Sequence, residues 1–276
     1  MKYLLFYLLP KNLISRLAGY LADIKLPSPL LLSVIRIYSG FYRIKLSDMK
    51  IPANQMNTFN EFFTRELKPE LRPIDPKPNS IVSPVDGTIA EFGPIQHNLL
   101  IQTKGIHYSL NDLVGDELAQ RFENGFFVTI YLSPSDYHRI HSPIKGKVAF
   151  FNYFSGNLWP VNQFGVNQIG GLFALNERIV TPIEGDFGTI GLVKVGATVV
   201  GKIKVRFSDV TSNTGKKTQL SLPIDPPQMF DKGEEIGKFQ LGSTVILLFE
   251  EHQASLDNLQ RGFKIRMGEE IGLLTK

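Results

Sequence analysis

Gly125-Phe126-Phe127-Val128-Thr129-Ile130-Tyr131-Leu132 runs straight into Ser133-Pro134-Ser135-Asp136-Tyr137-His138-Arg139-Ile140-His141-Ser142-Pro143, an apolar segment followed at once by a polar, reactive one. The first segment is short and rich in β-branched and aromatic residues, which reads as a buried strand. Five further runs of the same kind, Thr88–Phe92, Lys147–Phe154, Thr189–Val195, Thr198–Phe207 and Ser243–Glu250, are separated by Gly, Pro, Asn and Asp. Together they predict a mainly antiparallel β core from about residue 71 onward. Phe207 to Pro227, crowded with Ser, Asp, Thr, Asn, Gly and Lys, reads as a long loop between strands.

The front of the chain follows another pattern. Leu13, Leu17, Leu21 and Ile24 recur at near-helical spacing with Lys11, Ser15, Arg16 and Asp23 between them. After Pro27 and Pro29, the residues Leu30, Leu31, Val34, Ile35, Tyr38, Phe41 and Tyr42 form a broad apolar face beside Arg36, Arg43 and Lys45. Thr58 with Glu61 reads as a capping box that opens a short helix through Phe62, Phe63 and Leu67, ended by Pro69. The helical part of the chain is expected to stop largely there. The fold class is therefore α+β, with a helical segment over 1–70 and a β-rich unit over 71–276.

Charge divides along the same line. Residues 1–50 carry eight basic side chains against two acidic ones, so a formal net charge of +4 leaves −2 for the remainder. Basic groups beside an apolar helical face suit either a soluble core or a helix lying on an anionic membrane, where each cation adds roughly 1 kcal/mol near the surface. No uninterrupted apolar stretch reaches the length of about 18 residues that a spanning helix needs. Met1 to Leu9 is apolar, but Pro10 and Lys11 follow directly with no small-residue cleavage pattern, so a secretory signal fits poorly and the chain is expected to stay in the cytoplasm. With 0 Cys, disulfides, thiolate metal sites and a cysteine nucleophile are excluded.

Three segments place reactive groups where strands end: Ser83-Pro84-Val85-Asp86-Gly87, Tyr131 to Pro143, and Phe239-Gln240-Leu241-Gly242-Ser243-Thr244-Val245. His138 and His141, two of five histidines, invite a metal reading, but Pro134 and Pro143 disfavour the helix that would turn both one way. No metal is expected. Asp86, His141 and Ser243 supply the residue types of a serine nucleophile activated by an imidazole that a carboxylate orients. Taken alone, that composition is weak evidence, since most chains of this length contain all three.

The three segments together resemble the signature set of the phosphatidylserine decarboxylase family, its shorter bacterial members in particular. The resemblance extends through Leu9-Pro10, Ser15-Arg16-Leu17, Phe62 to Pro69, Arg72-Pro73-Ile74, Gly156, Leu158, Pro160-Val161-Asn162, Asn176-Glu177-Arg178, Val195 to Gly201 and Gly237 to Thr244. No catalytic position departs from the family pattern. The resemblance implies a proenzyme that cuts itself between Gly242 and Ser243, giving a β chain 1–242 and an α chain 243–276 that stay associated. It implies Asp86, His141 and Ser243 as the self-cleavage triad, a pyruvoyl group derived from Ser243 as cofactor, and His138 as the aid to decarboxylation or reprotonation. Gly242 fits its place, since a residue without a side chain lets the hydroxyl reach the carbonyl.

The implied reaction converts phosphatidylserine to phosphatidylethanolamine and carbon dioxide through a Schiff base, with the imine as electron sink. A lipid substrate favours the membrane reading of residues 1–50 and a peripheral or monotopic place on the cytoplasmic face of the cell (inner) membrane. Arg139 is a candidate partner for the anionic head group, with a structural ion pair as its other role. No nucleic-acid partner is expected, and a homodimer is one assembly open to the chain. A non-enzymatic β-rich membrane module and a conventional serine hydrolase are the competing readings, the latter lacking a Gly-x-Ser-x-Gly elbow.

Overall fold

A computed structural model describes residues 11–103, 105–198, 202–213, 218–240, 243–257 and 259–275. Gly242, half of the expected cleavage site, lies outside the described residues.

Among the described residues the front forms the α-helices α1 Lys11–Asp23, α2 Ser28–Tyr42 and α3 Phe59–Phe63. The capping box at α3 is present: the Glu61 N–H donates to Thr58 Oγ1 at 3.1 Å, and Glu61 Oε2 accepts from the Asn57 N–H at 2.7 Å. Helix α1 is inverted relative to a core helix. Its buried residues are Lys11, Ser15, Gly19 and Ala22, whereas Leu13, Leu17, Tyr20 and Leu21 are exposed. Helix α2 buries Leu31 and Ile35 against Met49, Met56 and Phe62, yet leaves Leu30, Val34, Ile37 and Phe41 outside.

The strands that position the site are β1 Gly87–Pro94, β2 Phe126–Leu132, β3 Arg139–His141, β4 Gly146–Phe154, β5 Arg178–Gly185, β6 Gly188–Val195, β7 Lys202–Val205, β8 Ser208–Thr211, β9 Gln219–Phe230, β10 Glu235–Gln240, β11 Ser243–Phe249 and β12 Lys264–Ile265. Eight of them form one antiparallel sheet in the order β9-β4-β5-β6-β11-β2-β1-β12, and four form a second in the order β8-β7-β10-β3. The mainly antiparallel core expected from the sequence is therefore present, and each expected strand matches an observed one closely, apart from the run Thr198–Phe207, where β7 covers Lys202–Val205 and a turn follows at Arg206 and Phe207.

Two expectations need correction. The stretch from Phe207 to Pro227 is not a loop: β8 and most of β9 occupy its described residues. Strand β9 is an edge strand pairing with β4 alone, so one side of its backbone meets no ladder and tolerates Pro223, Pro226 and Pro227. Nor do helices stop at residue 70. Short ones recur at α4 Leu110–Val114, α5 Asp116–Phe122, α6 Gln163–Gln168 and α7 Leu172–Leu175. At four to seven residues they are shorter than the window over which helical periodicity becomes visible.

Strand β11 is buried along its whole length. Successive side chains alternate between faces: Val245, Leu247 and Phe249 join the cluster containing Ile140, Ile203 and Phe239 of the four-stranded sheet, while Ile246 and Leu248 pack with Leu113, Phe122 and Leu172 of the helical layer. By that alternation Ser243 faces the four-stranded sheet. The front helices dock on the core through Asn12, whose Nδ2 donates to the Gly156 carbonyl at 3.1 Å, and through Asp23, which pairs with Lys202 at 2.9 Å.

Leu247→Ala should cost about 3 kcal/mol through lost burial and the residual cavity. Leu17→Ala, at a position 56% exposed, should change stability by less than about 0.5 kcal/mol. Urea midpoints compare the two, and equal effects would contradict the assignment of the α1 outer face.

Candidate active site

Ser243 is the first residue of β11 and stands opposite Leu132, the last residue of β2; beside it Thr244 pairs with both Tyr131 and Val195. The serine is 1% exposed, and its Oγ has no protein hydrogen-bond partner. The polar turn that starts at Ser133 thus begins directly across from it. At the far end of that turn β3 pairs with β10, setting Arg139 opposite Lys238 and His141 opposite Glu235, while the Phe239 N–H donates to the His138 carbonyl at 2.9 Å. β10 precedes β11 in the chain, so both histidines border the strand that leads to Ser243. A cavity of about 500 Å³ lined by Thr129, Tyr131, Phe173 and Thr244 opens on the opposite face of β11, away from the Ser243 side chain.

Both imidazoles are held neutral in one tautomer. His138 is fully buried, with Nδ1 2.8 Å from the Asp136 carbonyl. A carbonyl only accepts, so Nδ1 carries the proton and Nε2, which has no protein partner, carries the lone pair. Burial, and then the Arg65 cation, bring the His138 pKa down to about 3, against the pull of the Asp136 carbonyl. His141 repeats the arrangement: Nδ1 is 2.8 Å from the Gly233 carbonyl and Nε2 is 3.2 Å from the Tyr137 hydroxyl. Burial lowers its pKa also, with the Gly233 carbonyl opposing. The Tyr137 phenol is raised by burial, so it stays protonated and donates to His141.

Asp86 and His141 share a neighbourhood without a hydrogen bond between their side chains. The His141 N–H donates to the Pro84 carbonyl at 2.8 Å, which draws the Ser83 to Gly87 segment against β3. The Asp86 carboxylate is taken by the Arg72 guanidinium, through Nε at 2.7 Å and a second short contact, and by the Met267 N–H at 2.9 Å. The tautomer-fixing acceptor at His141 is accordingly the Gly233 carbonyl, and Asp86 acts on the imidazole through space. No hydrogen bond joins His141 to Ser243 either, because Ser243 Oγ makes none. Arg139 is occupied by Glu235 at 2.6 Å, Glu66 at 3.1 Å and the Thr64 carbonyl at 2.9 Å.

Several contributors escaped sequence reading. Phe63 stacks on His138 with ring centroids 4.2 Å apart, Tyr38 contacts Phe63 at 6.4 Å, and the Tyr38 hydroxyl reaches the Pro134 carbonyl at 3.4 Å. Arg65 and Arg72 lie within the quoted Phe62–Pro69 and Arg72–Ile74 motifs, and the signal available was an arginine set among apolar residues. Gly233 had no signal, since it contributes only a carbonyl.

With this geometry in view, a model of the phosphatidylserine decarboxylase family matches residues 59–273. The chain belongs to the phosphatidylserine decarboxylase family. It is 44% identical over 273 residues to a phosphatidylserine decarboxylase proenzyme of Anaeromyxobacter sp. (strain K), covering 96% of this chain and 95% of that protein. Proteins of the same name from Brevibacillus brevis (42% over 271 residues; 97% and 95% covered) and Shewanella woodyi (45% over 250 residues; 88% and 87% covered) are similarly close. The family of decarboxylases expected from the motifs is therefore the right one.

The depressed His138 pKa has a thermodynamic consequence. Between 6.5, its ordinary value, and about 3, the unfolded chain takes up a proton that the folded chain does not, so this residue lowers stability as pH falls through that window. His138→Gln should show a smaller loss of urea midpoint than the wild type between about pH 7 and pH 5. Parallel losses in the two proteins would mean that the imidazole is not held neutral.

Proposed function

We propose that the chain cuts itself between Gly242 and Ser243 and then decarboxylates phosphatidylserine to phosphatidylethanolamine at a membrane surface. The observation that carries this reading is the buried Ser243 hydroxyl, free of any partner among the described residues, opposite the end of the strand whose following turn leads to two neutral imidazoles. The relatives' name, proenzyme, agrees with a precursor that must be processed.

In the uncut chain Ser243 Oγ attacks the Gly242 carbonyl carbon. The C–O bond forms as the C–N bond breaks, the hydroxyl proton passes to an imidazole, and the freed amine takes a proton, leaving an ester. Loss of the Ser243 α-proton and of the Gly242 carboxylate across the Cα–Cβ bond gives dehydroalanine. Water then replaces its nitrogen as ammonia, leaving a pyruvoyl end. His141 suits the base of this stage: its proton is fixed on Nδ1 by Gly233, and its Nε2 lone pair is held by a hydroxyl that can also relay. Asp86, clamped by Arg72, lends its negative charge to the imidazolium as it forms.

The residues fit such a group. Ser243 is enclosed, so a carbonyl there is shielded from water, and His138 keeps a buried Nε2 without a partner among the described residues. The pyruvoyl carbonyl supplies an electron sink for the head-group amine. To His138, packed against Phe63 of the helical segment, we assign the movement of a proton at the substrate carbon that loses carboxylate. After cleavage the α chain, residues 243–276, stays bound because β11 is hydrogen-bonded on both sides, to β2 and β6.

The helical segment 1–70 meets the membrane, and 71–276 carries the chemistry. The outer faces of α1 and α2 expose Leu17, Leu21, Ile37 and Phe41 beside Arg16, Arg36 and Arg43, an arrangement that lies in the interface of an anionic leaflet. No helix among the described residues is long and apolar enough to cross a membrane, which fits peripheral attachment on the cytoplasmic face.

On denaturing gels the wild type should run as fragments ending at and starting after the Gly242–Ser243 bond. Ser243→Ala and His141→Ala should stay uncut, and His138→Ala should be cut but lose decarboxylation by about 10²-fold or more. A wild type that stays whole while releasing carbon dioxide from phosphatidylserine would overturn the reading. Ile37→Glu with Phe41→Glu should abolish flotation with vesicles containing anionic lipid; unchanged flotation would remove the membrane role from α2.

A further inference from the structure

Among the described residues Arg65 is a buried cation with two N–H groups unsatisfied. It follows α3 and is 4% exposed. Its Nη2 donates to the Ser135 carbonyl at 2.9 Å and the Asp136 carbonyl at 3.3 Å, and its guanidinium carbon lies 5.5 Å from the Phe62 ring. Nε and Nη1 are shielded and have no protein partner. Nor does any carboxylate among the described residues pair with it: Asp86 is held by Arg72, and the Asp136 carboxylate accepts from the Ser133 N–H at 2.7 Å and the Ser133 hydroxyl at 2.8 Å. A buried guanidinium without a counter-ion and with idle N–H bonds is costly to fold. Its retention calls for an anion that arrives from outside the chain.

The surroundings say which one. The Asp136 carbonyl that receives Arg65 also receives His138 Nδ1 at 2.8 Å, so cation and imidazole flank one oxygen. The turn carrying that oxygen begins at Ser133, next to the residue opposite Ser243. On the other side stands Tyr38 of α2, whose outer face is exposed and apolar. Arg65 therefore lies between the lipid-facing helices and the reacting residue. We propose that Nε and Nη1 of Arg65 bind the phosphodiester oxyanion of the lipid head group. The inference rests on the reading of the protein as a lipid decarboxylase, and it assigns the anion site that reading lacks, since Arg139 is already neutralised by Glu235 and Glu66.

Phosphate is favoured over carboxylate by the chemistry of the reaction. A buried cation on the carboxylate would stabilise the charge that must leave as neutral carbon dioxide, and so would raise the barrier. The phosphodiester keeps its charge in substrate, transition state and product. Binding it lowers KM without opposing turnover. Nε and Nη1 are shielded in this structure, so binding the phosphodiester requires local movement of the groups that cover them.

The test uses Arg65→Lys, which keeps a cation able to hold the turn carbonyls. For the cleaved variant, KM for phosphatidylserine should rise about ten-fold or more, with kcat within about two-fold of the wild type. The inhibition constant of phosphatidylethanolamine, which has the phosphate but no carboxylate, should rise by the same factor. Unchanged KM overturns the proposal; a raised KM with an unchanged inhibition constant means the cation holds the carboxylate; a fall in kcat alone means it only braces the turn. If Arg65→Lys stays uncut, the cleaved wild type labelled with 15N-arginine answers instead. Its Arg65 Nε–H signal, identified by its absence from the variant's spectrum, should move on titration with dihexanoyl-phosphatidylethanolamine and not with ethanolamine; a signal that stays still overturns the proposal. A wild type that releases no carbon dioxide in the same assay indicts the decarboxylase reading rather than the role of Arg65.

Discussion

The register that sets Ser243 opposite Leu132 is the constraint on which the site depends. Because β11 is hydrogen-bonded to strands on both sides and buried on both faces, its first residue cannot drift. A slip of one position would turn Ser243 to the helical layer and send Val245, Leu247 and Phe249 with it. The same ladder lets the sheet survive a break at its own edge of strand. A chain cut before a surface loop would lose its tail, whereas one cut before a central strand keeps it.

Around that fixed point the surroundings are arranged to withhold charge. Both histidines spend their Nδ1 protons on backbone carbonyls and are kept neutral by burial, so each presents a lone pair. The nearby ionic groups are tied to one another: Asp86 to Arg72, Arg139 to Glu235 and Glu66. Arg65, on the side toward the helices, is buried without a carboxylate partner among the described residues. From α2 a line of ring contacts runs through Tyr38 and Phe63 to His138. The inverted helix α1, with small and polar residues inside and leucines outside, presents the same kind of apolar outer surface as α2, the surface proposed to meet the membrane.

The strands were legible because short β-rich runs punctuated by Gly and Pro leave little room for other structure, and the α3 cap because Thr58 accepts from the Glu61 N–H while the Glu61 carboxylate reaches back to the Asn57 N–H. Strand β9 was not, since an edge strand may carry proline and polar residues and then resembles a loop. Asp86, His138, His141 and Ser243 were expected from motif resemblance, and the pairings of β3 with β10 and of β2 with β11 fix where the two histidines and Ser243 stand in the sheets. The partners were hidden for a physical reason. Gly233 acts through a backbone carbonyl, and Arg72, 14 positions from Asp86, competes for a carboxylate that residue type alone assigned to His141.

The central claim is that the backbone at Ser243 becomes the reactive group. Intact mass of the purified, active protein tests it most directly. The account predicts two chains, residues 1–242 and 243–276, the shorter one lighter than its amino-acid sequence by the mass of one ammonia because the amine of residue 243 has been replaced by a carbonyl oxygen with loss of the hydroxyl. A single chain of full sequence mass with undiminished decarboxylase activity, or a short chain that still begins with an intact serine, would contradict it.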